Sequence, residues 1–64
     1  MATKKELSQN DLENIIELLS IERFVNRERV KQYIKYYITD ILEEKLLDYN
    51  IGLAFDKIME MTNN

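Results

Sequence analysis

A chain of 64 residues with a net charge of −3 and a pI near 4.8 is small and acidic, and is expected to form a single helical domain over residues 1–64. It contains no cysteine and no histidine. That excludes disulfides, thiolate and imidazole metal sites, and every nucleophile that depends on a Ser–His or Cys–His pair.

Other classes fall on the same inventory. One glycine cannot build a phosphate-cradling loop or a dinucleotide fingerprint. The acidic balance weighs against a free-standing nucleic-acid binder. No run reaches the ~18–20 apolar residues of a membrane span, and no apolar stretch follows Lys4 and Lys5 as in a signal peptide. The expectation is a cytoplasmic protein with no membrane partner, no metal and no cofactor. Hydrophobic residues make up 45%, yet so short a chain buries only ~60% of its unfolded surface. With no cross-link to compensate, association is expected, and a homodimer is the simplest form of it. The richness in isoleucine, asparagine, lysine and glutamate, residues with AT-rich codons, hints at a bacterial or phage origin.

In chain order, residues 1–7 read as a frayed arm. Ser8 and Asp11 then form a variant capping box, with Leu7 and Leu12 placed as a hydrophobic staple around it. Leu12, Ile15, Ile16 and Leu19 recur at helical spacing, predicting a first helix over 9–19. Asn26 is a candidate N-cap for a second helix over 27–49. Val30, Ile34, Tyr37 and Ile41 form one apolar stripe along it, and Ile38, Leu42, Leu46 and Tyr49 a second. Two adjoining stripes imply two neighbours, so this long helix is expected to be central. Asn50 and Gly52 tolerate left-handed geometry and predict a turn, after which Ala54, Phe55, Ile58 and Met59 define a third helix over 53–61. The fold class is all-α, a small three-helix bundle with a long central helix.

No catalytic constellation is present, and the chain is read as a non-enzyme. Asp40, Glu43, Glu44 and Asp48 crowd the end of the second helix, but carboxylates do acid–base work only in a cleft that shifts their pKa values. Asp48-x-Asn50-x-Gly52 approaches the start of a calcium loop, yet its glycine falls at position 5 rather than 6 and position 12 is Met59.

Charge is the informative feature. Residues 21–38 carry five basic and two acidic side chains, and residues 39–64 six acidic and two basic. That gradient opposes the helix dipole. Arg23, Arg27, Lys31 and Lys35 fall on one i, i+4 ridge, and Asp40, Glu44 and Asp48 on another. These are solvated faces, or the complementary halves of an antiparallel dimer, or a phosphate-binding surface. The last reading gains from Tyr33, Tyr36 and Tyr37 interleaved with Arg23, Arg27, Arg29, Lys31 and Lys35. Tyr33 and Tyr37 sit at the edge of the stripe, where a buried ring commonly keeps its hydroxyl in water. Tyr36 is expected to face outward near Leu47.

The sequence thus points to a regulatory or adaptor protein acting by protein–protein binding, as a homodimer whose interface is Tyr33, Ile34, Tyr37, Ile38, Ile41 and Leu42. Asp40, Glu44 and Asp48 form its acidic partner surface. The alternative is a nucleic-acid-binding module that uses the basic first half of the second helix.

Overall fold

Three side-chain caps set the three helices. In the computed structural model, which describes residues 5–21 and 26–62, Ser8, Asn26 and Asn50 each accept the backbone N–H three residues on. The partners are Asp11 at 3.1 Å, Arg29 at 2.9 Å and Leu53 at 3.0 Å. Each satisfies a donor that a helix start would otherwise leave unpaired. The helices that follow are α1 (Gln9–Ile21), α2 (Arg27–Tyr36) and α3 (Ile51–Thr62). The described chain is all-helical with no strand, and its three helices pack into a compact globule. No helix of the described residues is long and apolar enough to cross a membrane.

The capping box at α1 is reciprocal, since the Ser8 N–H donates back to Asp11 Oδ2 at 3.4 Å. Leu7 and Leu12, the staple residues, are both buried. The core joins them to Ile15 and Leu19 of α1, Val30 and Ile34 of α2, Tyr37 and Ile38 just beyond it, and Ala54 and Ile58 of α3. One face of each helix therefore supplies the centre, as the 3.6-residue period requires.

The expected helix over 27–49 does not form as one rod. The α-helical hydrogen bonding ends at Tyr36 and gives way to a π-helical turn, Tyr37–Ile41. Leu42 N–H there reaches the Tyr37 carbonyl at 2.9 Å, and Thr39 Oγ1 donates to the Lys35 carbonyl at 2.8 Å. Glu43 then takes a positive φ of 56°, and Glu44 N–H closes onto the Ile38 carbonyl at 2.9 Å. This is a helix stop of the Schellman kind, widened by its π-turn, with glutamate where glycine is usual. Lys45 is extended and Leu46–Asp48 form a single 3₁₀ turn.

Burial explains the break. Residues 42–49 are good helix formers, but a helix carried on from Ile41 to Tyr49 would take them ~12 Å along its axis. Folded back instead, Leu42, Leu46 and Tyr49 pack against the core cluster. Tertiary packing overrides propensity here. The turn expected at Asn50 and Gly52 is displaced accordingly. Asn50 caps α3, and Gly52 lies inside its first turn with no positive φ.

The arm expected over residues 1–7 is also corrected over its described part. Lys5 bridges to Tyr49 in parallel, with its N–H on the Asp48 carbonyl and its carbonyl accepting from Asn50 N–H. Glu6 pairs with Lys57 at 3.3 Å. Residues 1–4 lie outside the described residues. Lys5 and Glu6 are thus held against the 3₁₀ turn and α3, and Leu7, which follows them, is buried in the core.

The left-handed Glu43 makes a stability prediction. A non-glycine residue in that region costs about 1–2 kcal/mol, against about 0.4–1 kcal/mol of extra unfolded-state entropy for glycine. Glu43→Gly is expected to hold or raise the urea midpoint, and the β-branched Glu43→Val to lower it. A Glu43→Gly protein clearly less stable than the parent would show that the side chain, not the backbone, sustains the stop.

Candidate functional site

The π-turn places Tyr37 and Ile41 against the flank of α1, and there the molecule is open. A groove of about 450 Å³ runs between the two elements. Its apolar surface comes from Leu18 and Ile21 of α1 and from Tyr37 and Ile41 of the turn, with Asn14, Glu17 and Ser20 completing it. Two of these residues are unusually bare for their type, Ile21 at 76% exposure and Ile41 at 47%. Leu18 is half-buried.

Hydrogen bonds hold the groove's inner end. The Tyr37 hydroxyl donates to Asp11 Oδ1 at 2.8 Å and accepts from Asn14 Nδ2 at 3.1 Å. Asp11 thus serves the α1 cap with one oxygen and Tyr37 with the other. Burial raises the Tyr37 phenol pKa, the bond from Asn14 acts to lower it, and the bond and negative charge of Asp11 raise it further. The ring is almost fully buried, and its hydroxyl is held by α1. Ser20 Oγ donates to the Glu17 carbonyl at 2.7 Å. The groove therefore offers chiefly apolar contact, because its hydroxyls already have partners.

The residues expected to form an interface separate into two groups. Ile34 and Ile38 are wholly buried, and Tyr37 nearly so. They are spent in the chain's own core, because the broken second helix wraps around that stripe instead of presenting it. Ile41 is exposed, while Tyr33 and Leu42 are half-buried. Of the basic ridge, Arg27, Lys31 and Lys35 are exposed on α2, and Arg23 lies outside the described residues. Arg29 bonds Gln32 and sits 5.7 Å from the Tyr33 ring centre, and Lys31 lies 5.4 Å from that of Phe55. Arg29, Gln32, Tyr33 and Tyr36 line a second, smaller hollow of about 210 Å³.

The acidic ridge of Asp40, Glu44 and Asp48 requires a continuous helix and is lost with it. Asp40 stays on the π-turn and accepts from Thr39 Oγ1 at 3.0 Å. Glu44 is drawn into a clamp, accepting the Tyr49 hydroxyl and pairing with Lys5 at 3.3 Å. The Asp48 carbonyl takes the Lys5 N–H. Likewise, Tyr36 at 46% exposure and Leu47 at 85% are not set side by side by helical register, which ends at Ile41. What the sequence reading missed was α1's part in the site. The signal was present in Leu18 and Ile21, apolar residues off the Leu12–Ile15–Leu19 stripe.

Comparison with protein families, with curated proteins and with solved structures finds no match.

The Lys5–Glu44–Tyr49 clamp has a pH signature. Its hydrogen bond to Glu44 and, less so, burial push the Tyr49 phenol up to about 12. The same bond and that from Lys5 lower Glu44 below its usual value of 4.5. The Tyr49 contribution is complete below pH 10, the ordinary phenol value, and is lost as pH rises toward 12. That of Glu44 is present above pH 4.5 and is lost as pH falls through its lowered native value. Glu44→Gln is expected to return Tyr49 toward 10, read as phenolate absorbance with Tyr49→Phe as the reference. An unshifted Tyr49 titration in Glu44→Gln would contradict the clamp.

Proposed function

We propose that this chain is a small, non-catalytic regulatory or adaptor protein that acts by binding another protein through the groove between α1 and the π-turn. The observation that carries the reading is the convergence of Ile21 and Ile41 on one open apolar groove, from elements well apart in sequence. Single exposed apolar residues are ordinary, whereas a contiguous apolar recess is the kind of surface that protein partners cover. Binding is assigned to this groove rather than to the whole second-helix stripe, since a homodimer through Ile34 and Ile38 would have to open the core.

Nucleic-acid binding by α2 remains the second reading, favoured by the exposure of Arg27, Lys31 and Lys35 on one face. Against it, Arg29 and Lys31 lie over the chain's own Tyr33 and Phe55 rings. Two of its cations are already in contact with aromatic rings of the fold.

The test uses Ile21→Asp/Ile41→Asp, with Leu47→Asp as control. Exposed positions tolerate such changes within about 0.5 kcal/mol, so both proteins are expected to melt as the parent does. Parent and control, used as bait in host lysate, should retain a polypeptide that the groove variant loses. Recombined with the purified parent, that polypeptide should bind at least about tenfold more tightly than to the variant, or ~1.4 kcal/mol. Equal retention by all three baits would overturn the groove reading. Salt-sensitive binding of duplex DNA, abolished by Arg27→Ala/Lys31→Ala/Lys35→Ala, would favour the rival.

A further inference from the structure

The walls of the groove share a property its apolar lining does not convey. Every charged residue of α1 is a carboxylate, namely Asp11, Glu13 and Glu17, and the one charged residue of the π-turn is Asp40. Asp11 is turned to Tyr37. Glu13 and Glu17, one helical turn apart, and Asp40, beside Ile41, are exposed. Glu17 lines the groove itself. Lys35 precedes Tyr37 by two residues, roughly 200° around the helix, and so faces away from it. Among the described residues, the slot therefore carries one carboxylate in its lining, Glu17, with Glu13 and Asp40 exposed on the two elements that form it.

We propose that this groove takes an amphipathic helix of another protein, one whose apolar stripe is flanked by lysine or arginine. The proposal rests on the groove reading above and names its partner's chemistry. Asn14 to Ile21, the α1 side of the groove, spans about 10 Å at 1.5 Å per residue. That matches two turns of a docked helix with anchors at i, i+3 or i+4, and i+7, the usual pattern of helix-in-groove recognition. The side-chain N–H of Asn14 and the hydroxyl of Ser20 are bonded within the chain, so the anchors are apolar and charge selection falls to the rim.

The same features argue against the other occupants. A second copy docked face to face about a two-fold axis brings like surfaces together, here carboxylate against carboxylate. The chain's own basic helix, α2, has Val30 and Ile34 buried in the core and has no free apolar stripe to lend. Nucleic-acid phosphates would meet an edge of their own sign. The contact is short, which places it among weak, transient interfaces.

The experiment is a titration of the full chain, followed by the methyl resonances of Leu18, Ile21 and Ile41. Three synthetic helical peptides of about 14 residues, or four turns, serve as probes. One has a leucine stripe flanked by lysines, one the same stripe flanked by glutamates, and one the lysine composition with its leucines scattered. The lysine-flanked peptide should shift these methyls in a saturable, salt-weakened manner. The glutamate-flanked peptide should bind at least about fivefold more weakly, as expected for a few exposed charge pairs, and the scattered peptide at least as weakly, because it presents no apolar stripe to the groove. Glu13→Lys/Glu17→Lys should shift the preference toward the glutamate-flanked peptide. Equal binding of both amphipathic peptides at these methyls would overturn the charge inference and leave the groove reading standing. Scattered leucines binding as well as the stripe would reduce the effect to general charge and overturn it. No shift at these methyls with any peptide would overturn both.

Discussion

The contact on which most of this structure depends is the Tyr37 hydroxyl held between Asp11 and Asn14. A phenol is large enough to fill core volume, but its O–H must find a partner when buried. α1 supplies both an acceptor and a donor one turn apart, and the acceptor is the residue whose other oxygen takes the Ser8 N–H in the α1 capping box. Helix initiation, the docking of α1 on the second helical segment and the burial of an aromatic ring thus share one carboxylate. Such shared networks fix relative orientation more tightly than apolar contact does, because hydrogen bonds are directional.

The π-turn belongs to the same arrangement. Widening the hydrogen-bond ring by one residue alters the direction of the side chains that follow, and π-turns are frequent at functional positions. Here Tyr37 and Ile38 point into the core while Ile41, three residues on from Ile38, is nearly half exposed. The turn also leads into the stop at Glu43, so the change of side-chain direction and the reversal of the chain occur within one short segment. Without that reversal, Tyr49 would not reach Lys5, and the backbone before Leu7 would lose its hydrogen-bonded neighbour.

Local signals were legible in the sequence where they are strong and one-sided. Ser8 and Asp11, and Asn26, announce helix starts by chemistry that acts within four residues, and the structure has them as caps. The apolar periodicity located the core residues Leu12, Ile15, Leu19 and Ile58. It placed Val30, Ile34 and Ile38 on apolar stripes, of which Ile34 and Ile38 were expected at an interface and are buried in the core instead. What was not legible was the stop at Glu43. Nothing in Ile41-Leu-Glu-Glu-Lys opposes a helix, and the energy that ends it comes from packing Leu42, Leu46 and Tyr49 on a core assembled from elsewhere in the chain. Gly52 drew the expected break some residues too late, because glycine permits a turn without requiring one. The residues expected at an interface were divided for the same reason. A stripe of apolar residues cannot by itself reveal whether its own chain or a partner covers it. Ile34 and Ile38 went to the core and Ile41 to the surface once the π-turn intervened.

This division also separates the residues that hold the fold from those proposed to meet a partner. Burying an isoleucine is worth about 1.5–3 kcal/mol, and in a chain this small Ile15, Ile34, Ile38 and Ile58, all wholly buried, supply a large part of what holds the fold. Ile21 and Ile41 supply little of it. Leu47 is more exposed than either, but it stands alone in its 3₁₀ turn and is the kind of stray apolar surface every protein carries. Ile21 and Ile41 differ because two elements joined through Tyr37 bring them to the same opening. The hydroxyl that locks α1 to the π-turn therefore also preforms the groove, so a docking helix would meet a surface already organised by the core beneath it and would not have to order it on binding.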